Sequence, residues 1–401
     1  MSDLSAFEKT IPSDALSLIN ALEVAGYEAY IVGGPVRDIL IGRIPCDYDI
    51  TTSAEVGEVK RVFSDKKTVD TGILHGTVTV VVNGVPYEIT TYREDGEYLD
   101  SRHPVSVSFT KSIEEDLKRR DFTVNAMAYS PTRGLLDLHG GCEDAARKII
   151  RAVGNAERRF EEDALRILRA LRFGATLDFE IEGKTAEALV AKRQLLLKIS
   201  AERIFAELKK LLAGSASYRV ISEFSSVFEL ILPELAPLKM PEEAGWADLS
   251  FEDRLAILFA LNSNSVAVAC AANRLKWDNS LRDRISKTVA LISSLPADND
   301  TSAREFLLSG EDSILLSALR IGRVMSLVTD STVMRVKKLI TEDMPRKVSH
   351  LAIKGSDISA LGAKGEAIGE VLKLLLKGVC LGELENDRCA LINEAKAHIK
   401  P

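Results

Sequence analysis

The sequence has few cysteines, no excess of positive charge and no long apolar run. Its five cysteines are scattered and never spaced as CxxC: Cys46, Cys142, Cys270, Cys380 and Cys389. This pattern argues against a disulfide framework and a cysteine zinc site. The chain has 52 Lys and Arg against 59 Asp and Glu, a net charge of −7. Its overall charge therefore cannot bind nucleic acid electrostatically, although a local basic groove could.

Further absences narrow the class of protein. No apolar run approaches the ~20 residues of a membrane span. The first residues show no signal-peptide pattern, and we expect a cytoplasmic protein. The 25 Gly and 12 Pro follow no period, which excludes a collagen-like chain. What remains is 401 residues of globular composition, enough for about two to four domains.

Strand and turn signals predict an α/β segment at the N-terminus. Short strands are predicted over residues 27–32 and 48–52, and a helix over 36–40 follows a Gly-Gly turn. Two β-branched runs, 77–82 and 85–92, are joined by Asn-Gly, which is a strong hairpin signal. We expect a small mixed sheet here.

Helical periods dominate from about residue 112 onward, with little strand signal. Helices are predicted over 114–128, 156–174, 184–197 and 201–212, with further helical segments to residue 397. The predicted fold class is therefore α+β, with an α/β head followed by a long all-α array.

The first motif is Gly33-Gly34-Pro35-Val36-Arg37-Asp38 followed by Asp47-Tyr48-Asp49. Two glycines before a helix let the backbone and the helix N-terminus approach a phosphate. Asp47 and Asp49 are two apart on a predicted strand, so both carboxylates face one side. Paired carboxylates suit Mg²⁺ in phosphoryl transfer. The alternative is that these residues form a glycine turn and a surface strand edge without a role in ligand binding.

The second motif lies within residues 114–126 and contains Arg120, Asp121 and Asn125. As a helix, it places Asp121 and Asn125 four residues apart on one face, where they could bind ribose hydroxyls. The neighbouring Arg120 could pair with phosphate oxygens. The alternative is a solvated, salt-bridged helix face.

The third motif repeats charged residues every three positions along a predicted helix: Asp163, Arg166, Arg169 and Arg172. A carboxylate can accept the exocyclic amino hydrogens of cytosine or adenine, and a guanidinium can donate to ring acceptors. Such a pair would favour C and A over U and G. A solvated helix face is again the alternative. A polar segment over 93–104, between the hairpin and the second motif, is predicted to be a functional loop.

These motifs, in this order over about residues 25–212, resemble those of class II tRNA nucleotidyltransferases, the CCA-adding enzymes, and the related bacterial poly(A) polymerases. The resemblance is greatest to bacterial CCA-adding enzymes. It implies that Asp47 and Asp49 are catalytic and bind Mg²⁺. It also implies nucleotide contacts, which would involve Gly34, Arg37, Arg120, Asp121, Asn125, Asp163, Arg166, Arg169 and Arg172. The segment 93–104 resembles the loop that helps the family switch from C to A addition.

The family resemblance also implies a domain order. It predicts a nucleotidyltransferase head over 1–143, a base-recognising helical neck over 144–212, a helical body over 213–300 and a tRNA-binding helical tail over 301–401. The implied substrates are ATP, CTP and the acceptor end of tRNA, with no membrane and no protein partner.

Three points stay open at the level of sequence. A poly(A) polymerase or an A-adding specialist would share every motif. The chain could also be a non-catalytic RNA-binding protein that keeps the transferase fold without its activity. The intact pair of Asp47 and Asp49 disfavours this hypothesis. A third active-site carboxylate could be either Glu88 or Asp121.

Overall fold

The computed structural model describes residues 8–95, 107–262, 264–342 and 344–399. The chain divides into two compact units, Met1–Ile231 and Leu232–Pro401. The first combines a mixed sheet with helices, and the described part of the second contains helices and no strand. The predicted α+β class is confirmed. The division into head, neck, body and tail stays a prediction.

The strands of the first unit are numbered in chain order. They are β1 (Ala29–Val32), β2 (Ile50–Thr52), β3 (Lys67–Gly72), β4 (Thr77–Val82), β5 (Val85–Thr91), β6 (Arg93–Asp95), β7 (Val107–Phe109), β8 (Met127–Ser130), β9 (Gly134–Asp137), β10 (Ile149–Ile150) and β11 (Glu180–Ile181).

The helices of the first unit fall into two groups. Those interleaved with the main sheet are α1 (Ser13–Val24), α2 (Gly34–Leu40), α3 (Val56–Val62) and α4 (Ile113–Lys118). Those that follow it are α5 (Gly141–Ala146), α6 (Ala156–Glu162), α7 (Leu165–Leu177), α8 (Gly183–Lys192), α9 (Ala201–Ala213), α10 (Ser217–Glu223) and α11 (Ser225–Ile231).

The main sheet has seven strands in the order β3-β4-β5-β2-β1-β8-β9. Its β2–β5 pair is parallel and its other pairs are antiparallel, so the sheet is mixed, as predicted. Every residue of the three adjacent strands β2, β1 and β8 is buried. Apolar side chains of α1 and α3 join these strands in one core cluster. The sheet is thereby a rigid base for the loops at its strand ends.

The predicted hairpin is confirmed as β4 and β5. Asn83 and Gly84 both have positive φ, at 51° and 82°, which matches the backbone that a two-residue hairpin turn requires. The predicted strand over 48–52 is shorter than expected, because β2 begins at Ile50. Asp47 and Asp49 therefore precede the strand, although the Val32 amide still donates to the Asp49 carbonyl at 3.0 Å.

The single helix predicted over 114–128 is wrong. Helix α4 ends at Lys118, and Phe122 has extended backbone (φ −128°, ψ 150°) that forms a bridge with Ala152. The Asp121 carboxylate accepts the Phe122 amide at 2.8 Å. Asp side chains compete in this way with helical hydrogen bonds. A short 3₁₀ turn at Thr123–Asn125 then leads into β8.

Three other predictions past residue 112 need correction. The prediction of helices with little strand beyond residue 112 misses β8 and β9, and the fully buried Met127–Ser130 of β8 shows no period of two that would indicate a strand. The helix predicted over 156–174 is broken at Asp163, whose backbone is extended (φ −137°, ψ 103°). The helix predicted over 184–197 ends as a 3₁₀ turn at Arg193–Lys198. The helix predicted over 201–212 is confirmed as α9.

The second unit contains nine helices in its described residues. They are α12 (Phe251–Asn262), α13 (Ser265–Arg274), α14 (Asn279–Ile292), α15 (Asp300–Leu307), α16 (Asp312–Val324), α17 (Asp330–Ile340), α18 (Gly355–Ala360), α19 (Glu366–Leu381) and α20 (Arg388–His398). Helices α15 to α17 share one apolar cluster, and α18 to α20 share another. Over the ranges given above, no helix combines the length and apolarity needed to cross a bilayer.

One glycine, Gly141, allows α5 to pack closely against the segment that carries the second motif. A Cβ on Gly141 would lie 2.3 Å from the Thr123 carbonyl oxygen and 2.8 Å from Cγ of Met127. A backbone carbonyl cannot move away from the added Cβ as a flexible side chain could. We therefore expect Gly141→Ala to lower the free energy of unfolding by about 1–3 kcal/mol. Thermal unfolding followed by circular dichroism measures it.

Gly183 is the matched control for that substitution. It also begins a helix, α8, and a Cβ there would meet nothing within 4 Å. Gly183→Ala should leave the free energy of unfolding unchanged or raise it by about 0.4–1 kcal/mol. Equal melting temperatures for the two variants would contradict the packing assigned to Gly141.

Candidate active site

The first motif forms a tight turn between β1 and α2. Gly33 has φ 80° and ψ −124°, a conformation that side chains with a Cβ avoid. A Cβ at this position would lie 3.2 Å from Nη1 of Arg120. The turn therefore brings the N-terminus of α2 close to the second motif, and Gly34 begins that helix.

Arg37, on α2, is turned inward and only 7% exposed. Its Nε and Nη2 donate to Oδ1 of Asp38 at 2.9 and 2.7 Å. Its Nη1 donates to Oδ1 of Asn125 at 2.5 Å. A side chain from the first motif is thus bound directly to one from the second, which lies 88 residues further along the chain.

Carboxylates gather where β1 and β2 meet. Asp47 and Asp49 are both exposed. Partial desolvation by the surrounding protein, followed by the charges of Asp47 and Glu88, raises the pKa of Asp49 to about 6, and Arg120 opposes the shift. Negative charge is therefore in excess at this point, which is the electrostatic setting that a cation would relieve.

The sheet register distinguishes the two candidates for a third carboxylate. Strands β2 and β5 pair Ile50 with Ile89 in parallel, so the preceding residues, Asp49 and Glu88, lie side by side. Glu88 is exposed, whereas Asp121 is buried and committed to other contacts. The geometry therefore favours Glu88 over Asp121.

Asp116 anchors the arginines of the second motif and was not predicted as a site residue. It is fully buried on α4. Its carboxylate accepts hydrogen bonds from Nη2 of Arg119 at 2.7 Å and from Nη2 of Arg120 at 3.0 Å. Burial alone would raise the pKa of Asp116, but the guanidinium groups of Arg120 and Arg119 hold it below its ordinary value. The four-residue spacing of Asp116 and Arg120, which the helix predicted over 114–128 would place on one face, is the signal that could have identified the pair.

Asp121 and Asn125 share a contact although they do not share a helix. Nδ2 of Asn125 donates to Oδ1 of Asp121 at 3.1 Å, and Oδ2 of Asp121 accepts Nε of Arg169 at 2.8 Å. Burial would raise the pKa of Asp121, but Arg169 and then Asn125 lower it to about 2. Together with Arg37, these residues form a continuous chain of contacts, called the bridge network here: Arg37, Asn125, Asp121 and Arg169.

Asp163 lies at the break between α6 and α7 rather than on a helix. Its Oδ1 accepts the Leu165 amide at 3.0 Å, and its Oδ2 accepts Nη2 of Arg203, on α9, at 3.3 Å. The predicted stripe that began with Asp163 is therefore corrected, because this residue precedes α7. Its extended backbone and its two contacts hold the carboxylate beside the start of α7.

The arginine part of the stripe is confirmed as one helix, since Arg166, Arg169 and Arg172 all lie on α7. Arg166 is 8% exposed. Its Nη1 donates to Oε2 of Glu162 at 2.9 Å, and its Nη2 donates to the Arg119 carbonyl at 2.9 Å. Arg172 is paired with Glu207 of α9 at 2.6 Å. The alternative of a solvated helix face is wrong, because all three arginines are tied to other elements.

The structure brings all of the predicted site residues into the first unit. The bridge network joins the first, second and third motifs, and Arg166 joins the third motif to the second through a backbone carbonyl. Their roles toward a ligand stay predictions. The predicted loop over 93–104 begins as β6, and its residues 96–104 lie outside the described ranges.

Three family models match successive parts of the chain. The "Poly A polymerase head domain" matches residues 29–151, and the "Probable RNA and SrmB- binding site of polymerase A" matches 178–239. A model of tRNA nucleotidyltransferase domain 2 matches 251–395. The first match contains the first and second motifs and β8.

Curated relatives match over nearly the whole length. The CCA-adding enzyme of Pediococcus pentosaceus is 36% identical over 95% of this chain and 96% of its own. That of Lactobacillus delbrueckii subsp. bulgaricus is 38% identical over 94% and 96%. The crystal structure of the Bacillus stearothermophilus CCA-adding enzyme in complex with CTP aligns with a TM-score of 0.78 at 32% identity, covering 96% of each chain. The chain therefore belongs to the CCA-adding enzyme family of tRNA nucleotidyltransferases.

Proposed function

We propose that this chain adds the 3′-terminal CCA sequence to tRNA, using CTP and ATP without a nucleic-acid template. The observation that carries the proposal is the bridge network, in which buried contacts join the phosphate-binding turn, the second motif and the arginine helix α7. The full-length relatives named as CCA-adding enzymes support the same reaction.

The carboxylates fit a divalent cation, and we propose Mg²⁺ held by Asp47 and Asp49. The family normally uses a divalent metal. No three His, Cys, Asp or Glu side chains are gathered as a metal site in the described ranges, and Mg²⁺ typically takes one or two carboxylates plus water and substrate phosphates. Bound there, the cation would activate the 3′-hydroxyl of tRNA and neutralise the leaving pyrophosphate. Glu88, beside Asp49, is the proposed third active-site carboxylate, and we do not place it among the metal ligands.

The triphosphate would lie at the N-terminus of α2. Gly34 exposes the backbone there, and both guanidinium groups adjoin the turn: a Cβ on Gly33 would lie 3.2 Å from Nη1 of Arg120, and one on Gly34 would lie 3.6 Å from Nη2 of Arg37. Asn125 and Asp121 orient Arg37 and Arg169 through the bridge network and so define one wall of the ribose site. Preorganised charges of this kind need no rearrangement when negative charge develops in the transition state.

The base would meet Asp163 and Arg166, at the start of α7. An Asp that accepts and an Arg that donates satisfy the edges of cytosine and adenine and leave uracil and guanine poorly satisfied. Asp163 is held by Arg203 and Arg166 by Glu162, so both are positioned by the protein itself. Arg169 and Arg172 continue the pocket along α7.

The remaining parts of the proposal concern tRNA and location. The helical second unit, matched by the tRNA nucleotidyltransferase domain 2 model over 251–395, is the proposed binding site for the rest of the tRNA. A cytoplasmic location is supported by the five cysteines, all of which are free.

The decisive test is addition to three tRNA transcripts, which end before CCA, after CC, and after the complete CCA. Each is given CTP, ATP or both, with and without Mg²⁺. We expect two C and one A on the first, one A on the second and no addition to the third. Addition of A only to the CC end would indicate an A-adding specialist. Continued A addition to unrelated RNA would indicate a poly(A) polymerase, and no incorporation would favour an RNA-binding protein.

The carboxylate assignment predicts the effect of Asp47→Asn and Asp49→Asn. Each should lower the rates of both C and A addition by about 10²–10³ or more, while the Kd for tRNA stays within about twofold, because the carboxylates act on the reaction and not on the RNA. Single-turnover addition and filter binding measure the two quantities. Asp65→Asn, an exposed carboxylate on the turn after α3, is the control. A near-normal rate in either variant would overturn the assignment.

The base-pocket assignment predicts that Asp163→Ala relaxes nucleotide choice. A lost base-edge pair costs about 1–3 kcal/mol of discrimination, so incorporation of UTP and GTP relative to CTP and ATP should rise by about tenfold. Glu161→Ala, an exposed neighbour that pairs with Lys192, is the matched control. Competition assays with mixed NTPs measure the ratio. Discrimination equal to that of the control would contradict the assignment.

A further inference from the structure

Phe173, on α7, lies among three guanidinium groups. Cζ of Arg172 is 3.9 Å from the centre of its ring, that of Arg37 is 5.1 Å away and that of Arg169 is 5.4 Å away. All three distances fall within the range in which a cation is attracted by the π electrons of an aromatic ring. The side chain is 6% exposed, so little water competes for these contacts.

The three arginines reach this ring from two elements, and each has a carboxylate partner of its own. Arg37 is on α2 and pairs with Asp38, whereas Arg169 and Arg172 are on α7 and pair with Asp121 and Glu207. Phe173 is the shared neighbour that lies between them.

Three cations around one side chain repel one another. Burial, together with the charges of Arg169 and Arg37, lowers the pKa of Arg172, while Glu207 opposes the shift. An aliphatic side chain would fill the same space but offer these cations no attraction. An aromatic ring presents negative faces that offset part of the repulsion.

The ring is itself held in orientation. Phe122, which follows Asp121 of the bridge network, packs edge to face against Phe173, with ring centres 5.8 Å apart and planes at 81°. This arrangement is preferred for aromatic pairs. Phe122 is fully buried, so the orientation of Phe173 is set by the core and not by solvent.

We propose that Phe173 is a positioning residue for nucleotide binding, whose π electrons hold Arg37, Arg169 and Arg172 together in the geometry that receives an NTP. The inference rests on the proposed function. It assigns Phe173 no contact with the substrate. Its contribution is electronic, so it depends on the charge distribution of the ring as well as on its volume.

Fluorination tests this directly, because it withdraws charge from the ring face and barely changes its shape. Phe173 is replaced by 4-fluoro-, 3,5-difluoro- and 3,4,5-trifluorophenylalanine in the full chain. We expect the KM for CTP and ATP to rise stepwise with each fluorine, by about fivefold for the trifluoro ring. The kcat and melting temperature should stay near those of the unsubstituted protein. Phe173→Leu should give a rise in KM at least as large.

Phe63, in the apolar core beneath the main sheet, provides the control. Its trifluoro form should leave KM unchanged. A KM that stays flat across the Phe173 series, or that rises equally for Phe63, would overturn the inference while the proposed function stands. If the unsubstituted protein adds nothing to any tRNA end, the proposed function fails. Calorimetric Kd values for CTP and ATP across the same series then decide the inference alone.

Discussion

The candidate site depends on one amide. The side-chain oxygen of Asn125 accepts a hydrogen bond from Arg37, and its nitrogen donates one to Asp121. Asp121 in turn accepts a hydrogen bond from Arg169. Arg37, Asn125 and Asp121 are each less than a tenth exposed, so a lost partner would leave a buried polar group or charge unsatisfied, at a cost of about 1–3 kcal/mol or more. This mutual dependence explains how three motifs far apart in the chain keep one arrangement.

The same network separates the charges of the site into two regions. Buried carboxylates lie beside the clustered arginines: Asp116 and Asp121 accept hydrogen bonds from guanidinium groups, and Glu207 forms an ion pair with Arg172. Around Asp49 partial desolvation and the neighbouring negative charges outweigh the opposing charge of Arg120, and the pKa of Asp49 is raised to about 6. Under the proposed function, the second region would hold a cation and the first the phosphates of a nucleotide. Nucleotidyl transfer needs both, at neighbouring positions.

The sheet determines where those regions meet. Strand β1 pairs with β2 on one side and β8 on the other. Asp49 adjoins β2, the Gly33 turn follows β1, and Asn125 precedes β8. Three adjacent buried strands thus present the carboxylates, the Gly33 turn and the second motif together. Loops would hold such groups less accurately than the ends of a packed sheet.

The sequence alone determined the local features, namely the hairpin with Asn83 and Gly84, helix α9 and the three arginines of α7. Each depends on neighbours in the chain, and periodicity or turn chemistry reveals it. The resemblance to the family supplied the expected roles of the motif residues and their order along the chain, but no contacts. Only the tertiary structure decided that α4 ends at Lys118, before Asp121, that Asp163 lies at a break between two helices, and that Glu88 lies beside Asp49. Those outcomes come from pairings between distant segments, such as Phe122 with Ala152 and β2 with β5, which no local pattern encodes.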